Sequence, residues 1–138
     1  MYIRMTCLFC AIANKEVKSH IVYEDEQTIA FLDIQPIRPG HMLVIPKRHR
    51  EALHTLGEQE YIDVMKAVRL LSKQVNDTLR PKKVGVAIAG FDQAHLHIHI
   101  IPMHAYHDLT SSKYLDKSIA IAKEEELLAM KQLLAMNK

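Results

Sequence analysis

The sequence predicts an α+β fold, in which a mostly antiparallel sheet of about five strands is combined with one long helix, a short N-terminal helix and a C-terminal helical extension. Segments of strand composition follow one another along the chain instead of alternating with helices, and this order disfavours a doubly wound parallel sheet. One long segment has apolar residues at three-to-four spacing, the period of an amphipathic helix. The 138 residues are 49% apolar and 25% charged, as expected for one soluble domain over residues 1–138.

The first half of the chain contains the short helix and three predicted strands. The apolar run at residues 8–13 indicates the N-terminal helix. Residues 21–23 and 28–32 are rich in β-branched and aromatic side chains, and the polar residues 24–26 between them predict a hairpin. A rigid turn follows at residues 36–40, where two prolines fix φ and a glycine tolerates positive φ. Residues 41–46 then form a third strand that ends at Pro46.

The second half contains the long helix, two more strands and the extension. Apolar residues recur at helical spacing between Leu56 and Pro81, which predicts an amphipathic helix of about six turns. Residues 84–89 are a fourth strand and residues 95–101 a fifth, stopped by Pro102. Residues 113–136 have helical composition, with an apolar side that suits a partner chain or the chain's own core: Leu127, Leu128, Met130, Leu133 and Leu134.

Composition and charge argue against several classes of protein. Eighteen Lys and Arg against sixteen Asp and Glu leave a net charge of +2, too small for a general polyanion-binding surface, so we expect no nucleic-acid partner. Two cysteines cannot form a disulfide framework, which favours a reducing, cytoplasmic location. The apolar run at residues 5–13 is about half the roughly 20 residues that span a bilayer, so we expect no membrane segment.

The spacing of the histidines is the main functional signal. Nine histidines occur, and five of them fall within residues 95–107. In a strand, alternate side chains share a face, so His95, His97 and His99 lie on one face, with same-face positions roughly 6.6 Å apart. The intervening apolar residues occupy the other face. The strand therefore presents a row of imidazole nitrogens on one side and a core surface on the other.

Three interpretations of this row remain open from spacing alone. The histidines serve as polar residues on an exposed face, or they bind a catalytic zinc that activates water. In the third interpretation one imidazole is a nucleophile or general base and its neighbours fix its tautomer and bind an anion. A neutral ring nitrogen attacks phosphorus without a separate base, because the unperturbed pKa of histidine is roughly 6.5.

Beyond spacing, the segment His95-Leu96-His97-Ile98-His99-Ile100-Ile101 resembles the signature of the histidine triad (HIT) family. The resemblance continues through the other family blocks in order: residues 7–10, 22–25, 30–34 and 39–49. It covers about residues 5–103 and implies a HIT-like fold, with residues 104–138 as a C-terminal helical extension. The short turn at residues 90–94 is similar to a shorter-looped, bacterial-type branch of the family.

The resemblance implies a nucleotide-binding hydrolase or transferase that acts at the α-phosphorus of nucleoside phosphoramidates or dinucleoside polyphosphates through a covalent nucleotidyl-histidine. By position in the motif, His97 is the nucleophile, His99 orients and polarises it, and His41 approaches from a neighbouring strand; His95 completes the catalytic set. The alternatives are a zinc metallohydrolase that uses all three triad histidines, and a non-catalytic nucleotide-binding module.

The resemblance also assigns the nucleotide-binding residues. Asp33 accepts hydrogen bonds from the ribose, although a turn-capping Asp is the competing interpretation. An apolar wall from Ile12, Phe31 and Ile34 flanks a purine base. Gln93 lies in the short turn before the triad, where many family members carry a longer phosphate-binding loop, and the neighbouring Asp92 places a carboxylate there. The phosphate contacts are thus where this chain departs from the family pattern.

Two further expectations follow from the resemblance. Cys7, Cys10, His49 and His95 match the positions of a structural zinc site of Cys₂His₂ type, while a redox pair or two free buried thiols remain the alternatives. The chain is expected to be a homodimer, because the apolar residues of the helix at 58–80 spread beyond one narrow stripe. The remaining histidines are expected at the surface: His20, His54, His104 and His107.

Overall fold

A five-stranded antiparallel sheet forms the centre of the protein, as predicted, and its strand order is β1-β2-β3-β5-β4. The computed structural model describes residues 7–110 and 119–136. The strands are β1 (Ile21–Glu24), β2 (Thr28–Leu32), β3 (Met42–Pro46), β4 (Lys83–Ala87) and β5 (Ile98–Met103). The α-helices are α1 (Leu8–Ala13), α2 (Glu58–Leu79) and α3 (Glu124–Leu134), with short 3₁₀ turns at Leu53–Thr55 and Tyr106–Asp108.

The predicted hairpin of β1 and β2 is confirmed, and Asp25 forms its turn. The Oδ1 atom of Asp25 accepts hydrogen bonds from the backbone N–H groups of Gln27 (2.9 Å) and Thr28 (2.8 Å). This side-chain turn reverses the chain between β1 and β2, which pair antiparallel with Tyr23 opposite Ala30 and Glu24 opposite Ile29. On its other edge β2 pairs antiparallel with β3, with Thr28 opposite Pro46 and Leu32 opposite Met42.

The sheet separates two apolar clusters, and both faces of β2 and β3 are buried. On one face, Ala30, Leu32 and Val44 pack with α2 and with Leu127 and Leu134 of α3. On the other face the smaller cluster, with members Ile29, Phe31, Leu43 and Ile45, packs against α1. Every position of these central strands is therefore apolar or small, and the two-residue period decides which cluster each side chain joins.

The long helix α2 lies on the larger cluster with one face. Its buried residues follow helical spacing: Val64, Ala67, Val68, Leu71 and Val75. Tyr61, Ile62 and Leu70 are exposed, so the apolar surface of α2 is wider than the stripe that contacts the sheet. Among the residues that the structure describes, neither α2 nor another helix is long and apolar enough to cross a membrane.

The fifth strand differs from its predicted bounds of 95–101. It begins at Ile98 and continues through Pro102 to Met103. The pairing of β5 with β3 ends at Ile100, so Pro102 borders a partner strand only in β4, a position where proline is tolerated. Before Ile98, Leu96 still packs in the larger cluster, whereas His95 faces the thiols of Cys7 and Cys10. The alternation of histidine and apolar side chains thus extends beyond the hydrogen-bonded strand.

Within the described residues, the C-terminal helix is shorter than predicted. Of the predicted 113–136 helix, residues 113–118 lie outside the described residues, residues 119–123 are not helical, and α3 begins at Glu124. Glu126 caps the start of α3 by accepting a hydrogen bond from the backbone N–H of Lys123 at 3.0 Å. Leu127 and Leu134 are buried in the core, whereas Leu128 and Leu133 are exposed.

Candidate active site and metal site

One hydrogen bond determines which nitrogen of the His97 ring carries the hydrogen. Its Nδ1 lies 2.9 Å from the backbone carbonyl oxygen of His95. A carbonyl only accepts, so Nδ1 carries the hydrogen and, in the neutral ring, Nε2 carries the lone pair. The ring is 8% exposed and is packed edge-on against Phe9, with ring centroids 5.1 Å apart. The hydrogen bond therefore fixes a tautomer in which the lone pair of the neutral His97 ring is on Nε2.

A chain of hydrogen bonds runs from the backbone of Ile37 through His41 to His99. The backbone N–H of Ile37 donates to His41 Nδ1 at 3.0 Å, so the hydrogen of the neutral His41 ring is on Nε2. His41 Nε2 lies 2.9 Å from His99 Nδ1 and donates to it, which leaves the hydrogen of His99 on its own Nε2. The rings of His97 and His99 are 5.2 Å apart. These hydrogen bonds orient His99 as a donor through Nε2, with its ring beside that of His97.

Burial keeps these rings uncharged. Desolvation, with a smaller contribution from His99, lowers the pKa of His41 to about 3. Desolvation, followed by the proximity of His97, lowers the pKa of His99 to about 4. Both rings are neutral at pH 7, as the hydrogen-bond directions require.

The donor atoms of Asp33, His41 and His99 lie close together but are not suited to a metal. Asp33, His41 and His99 each place one donor atom within 4.8 Å of the others. However, His41 Nδ1 already accepts the Ile37 N–H, so Nε2 binds a metal only if the ring loses both hydrogens or gives up that bond. The hydrogen-bond geometry favours a hydrogen-bonded pair of His41 and His99 at this position.

His95 is turned away from the other two triad rings. Its Nε2 donates to the Pro46 carbonyl at 2.9 Å, and its Nδ1 faces the thiols of Cys7 and Cys10 at 3.3 and 3.5 Å. The imidazole is fully buried and does not line the cavity described below. The three triad rings do not converge on one point, which argues against the metallohydrolase alternative. His95 reaches His97 through its backbone carbonyl.

The predicted Cys₂His₂ set is brought together. Cys7, Cys10, His49 and His95 place four ligand atoms within 4.8 Å of one another, and Cys10 Sγ lies 3.2 Å from His49 Nδ1. Tetrahedral zinc with Zn–S of about 2.3 Å and Zn–N of about 2.0 Å has ligand-to-ligand distances of roughly 3.5 Å. The Pro46 contact leaves the Nδ1 lone pair of His95 facing the thiols, as a ligating histidine requires. The residues therefore fit a structural zinc ion.

A cavity of about 580 Å³ opens in front of His97 and His99. All five predicted nucleotide-binding residues line it: Ile12, Phe31, Asp33, Ile34 and Gln93. His41 lies behind His99, outside the cavity wall. The cavity combines apolar side chains, a carboxylate and two imidazoles, which is a suitable lining for a nucleotide.

Asp33 uses its carboxylate for a turn as well as for the site. Its Oδ1 accepts from the backbone N–H of Gln35 at 2.9 Å, so the turn-capping interpretation is confirmed. Its Oδ2 lies 3.5 Å from His41 Nε2, and the side chain is 11% exposed at the cavity. The cap fixes the carboxylate without preventing a ribose contact.

Sequence patterns did not predict several of the residues that line the cavity. Phe9 lies between the two cysteines on α1 and contacts both His97 and Phe31; its position between two metal-ligand candidates was the available signal. Ile121 and Leu127 also line the cavity. Leu127 belongs to the predicted apolar side of residues 113–136, but no local pattern places either residue at the cavity, because both are distant in sequence from its other walls.

The surface assignment of His20 is wrong. Its side chain is buried, and Nε2 lies 3.0 Å from Glu124 Oε2, because the C-terminal region packs beside β1. His54, His104 and His107 are exposed, as predicted.

The sequence is similar to known HIT proteins over most of its length. A family model described as the HIT domain matches residues 14–106. The chain is 40% identical over 100 residues to an uncharacterized HIT-like protein of Methanocaldococcus jannaschii, a match that covers 70% of this chain and 78% of the relative. It is 37% identical over 97 residues to an adenosine 5′-monophosphoramidase of Saccharomyces cerevisiae, covering 70% of this chain and 61% of the relative.

Solved structures share the fold. A Hit-like protein from Bartonella henselae superposes with a TM-score of 0.79 at 29% identity, over 96% of this chain and 97% of that one. A zinc-bound histidine triad family protein from Mycobacterium smegmatis has a TM-score of 0.73 at 26% identity, over 94% and 91% of the two chains. The triad motif, the strand order and a family match over more than half of the sequence agree, and the chain belongs to the HIT domain family.

Proposed function

We propose that this protein is a nucleotide-binding hydrolase that cleaves at the α-phosphorus of nucleoside phosphoramidates or dinucleoside polyphosphates through a nucleotidyl group on His97. The observation that carries the proposal is the His97 Nδ1 hydrogen bond to the His95 carbonyl, which leaves the Nε2 lone pair on a ring that lines the cavity. The name of the yeast relative, an adenosine 5′-monophosphoramidase, supports the phosphoramidate substrate class.

In the first step, His97 Nε2 attacks the α-phosphorus and the bond to the leaving group breaks. The electron pair of that bond goes to the leaving amine or phosphate; an amine takes up a proton from water. The new phosphorus–nitrogen bond gives the ring a positive charge, and the His95 carbonyl at Nδ1 stabilises that charge. His99 donates its Nε2 hydrogen to a phosphoryl oxygen. His41 Nδ1 already accepts the hydrogen bond from the Ile37 N–H. His99 therefore stabilises the phosphoryl oxygen by donating a hydrogen bond and does not transfer a proton to it.

In the second step, water attacks the same phosphorus from solvent. The bond to Nε2 breaks, its electron pair returns to the ring, and the attacking water releases a proton. The products are a nucleoside monophosphate and the neutral His97 tautomer of the resting site. Division of one displacement into two lower barriers is the advantage of the covalent path.

The cavity lining supports a purine nucleotide as the partner. Asp33 Oδ2 accepts hydrogen bonds from the ribose hydroxyls while Oδ1 keeps its turn contact. Ile12, Phe31 and Ile34 flank the base, and Gln93 lies at the phosphate side with Asp92. Burial of the aromatic base against these apolar side chains supplies most of the affinity, and the carboxylate supplies selectivity for ribose.

A zinc ion held by Cys7, Cys10, His49 and His95 would cross-link α1 to the sheet. Two thiolates balance the charge of the ion, so the role is structural. The zinc-bound mycobacterial relative supports this part of the proposal.

Dimerisation is supported by the exposed apolar residues of α2 and by the position of β4 at the sheet edge.

The covalent intermediate is tested by acid quenching with adenosine phosphoramidate, followed by peptide mass spectrometry. We expect an adenylyl group on the peptide at His97. The exposed His104 in the His104→Ala variant is the matched control and should leave labelling unchanged. A label on another residue would refute the assignment of the nucleophile, and turnover without any label would refute the covalent path.

A further inference from the structure

The segment of residues 119–124, here named the C-terminal strap, runs beside the cavity. It lies outside residues 14–106, the part of the chain that matches the HIT domain. Ile121, Ala122 and Glu124 nevertheless line the same cavity as His97 and Asp33. One wall of the candidate nucleotide site is therefore made by a part of the chain that the family match does not include.

Specific hydrogen bonds fix the strap to the turn that follows β2. The backbone N–H of Ala122 donates to the Ile34 carbonyl at 2.8 Å, and Gln35 Nε2 donates to the Ile119 carbonyl at 3.0 Å. At the end of the strap, Glu124 Oε2 lies 3.0 Å from His20 Nε2. Three contacts spread over six residues hold the strap in one position.

The helix that follows the strap anchors it. Leu134 of α3 is 0% exposed and Leu127 is buried in the main core. The backbone N–H of Met136 donates to the Val22 carbonyl of β1 at 2.7 Å. The strap is consequently held on one side by its own contacts to the turn and on the other by a helix that is part of the core.

The strap contacts bear directly on the Asp33 carboxylate. Asp33 Oδ1 accepts the N–H of Gln35, and the strap binds Ile34 through its carbonyl and Gln35 through its side chain. Both residues after Asp33 are thus held from outside the turn. A carboxylate that is held in place before ligand binding loses less conformational freedom when it binds.

Ile121 supplies the second argument. This large aliphatic side chain is 66% exposed, although it lines a cavity whose other walls are mostly apolar. A ligand ring in the cavity would remove part of this apolar surface from water, which favours binding.

We propose that the strap completes the nucleoside subsite: Ile121 is a specificity-determining residue that covers the base, and Gln35 is a positioning residue that holds the Asp33 turn for the ribose. This inference rests on the proposed function and deepens it. It makes the C-terminal region, and not only the HIT domain match, part of ligand recognition.

The Ile121 arm compares Ile121→Ala with Ile121→Leu in the full-length protein. We expect the dissociation constant of AMP and the KM for adenosine phosphoramidate to rise roughly three- to tenfold in the alanine variant, with kcat unchanged, because ground state and transition state lose the same contact. The leucine variant should bind nearly as the original protein does. Leu133→Ala is the matched control, since Leu133 is exposed on α3 and does not line the cavity.

The Gln35 arm measures the preference for ribose. Gln35→Ala should weaken AMP binding several-fold and leave 2′,3′-dideoxy-AMP binding unchanged, because only the first ligand uses the Asp33 carboxylate. A merely structural role would weaken both ligands equally, and that result would overturn the positioning role. If the original protein binds AMP and turns over the phosphoramidate, and neither variant changes AMP affinity, the inference is wrong and the proposed function stands. If the original protein neither binds AMP nor turns over the phosphoramidate, both are wrong.

Discussion

The imidazole of His97 differs from its neighbours in how its two nitrogens are used. The Nδ1 atom is bound to a main-chain carbonyl, which fixes one tautomer, whereas His95 and His41 have both nitrogens within reach of partners. His97→Ala should lower kcat/KM by roughly a thousandfold or more, as loss of a covalent nucleophile commonly does. AMP affinity, measured by calorimetry, should change far less. A variant that keeps substantial turnover would show that another group attacks the phosphorus.

The free energy of unfolding should fall at acid pH, because the rings of His41 and His99 are buried and neutral in the folded state. The pKa of His41 is about 3 and that of His99 about 4, below the ordinary value of 6.5, so the unfolded chain binds more protons between about pH 4 and 6.5. The free energy of unfolding should therefore keep its full value above pH 6.5 and decrease as the pH drops through this window. His41→Asn should flatten the dependence by up to about 1.4 kcal/mol per pH unit. Urea unfolding at several pH values and equal zinc content tests this, and parallel curves for the two proteins would contradict it.

At the scale of elements, α1 is a short helix whose position depends on the sheet behind it. Six residues are too few for a stable isolated helix, so packing and the Cys–His cluster must hold it. Purified protein should contain about one zinc ion per chain, and the Cys7→Ser, Cys10→Ser double variant should contain none and melt at a lower temperature. Elemental analysis gives the metal content. Equal zinc in both proteins would place the metal elsewhere.

At the scale of the whole molecule, both α2 and the edge strand β4 expose apolar side chains. Ile62 and Leu70 are exposed on α2, and Val86 and Ile88 are exposed in and just after the edge strand β4. Light scattering at micromolar concentration should give twice the mass of one chain, and Ile62→Glu should shift the protein towards the monomer because it buries a charge in the interface. Leu133→Glu, at an exposed position on α3, is the control. A monomeric original protein would refute the dimer.

The sequence by itself determined the sheet, the long helix, and the side-chain alternation that puts His97 and His99 on the face opposite the larger apolar cluster, because periods of two and three to four residues are local properties. It also brought Cys7, Cys10, His49 and His95 into one set through the family resemblance. The tertiary structure decided which partner each nitrogen of His95 faces, that His20 is buried under Glu124, and that Ile121 lines the cavity. Those contacts join residues about 50 to 100 positions apart, and only the packed fold specifies such pairs, since no local pattern encodes which distant segments meet.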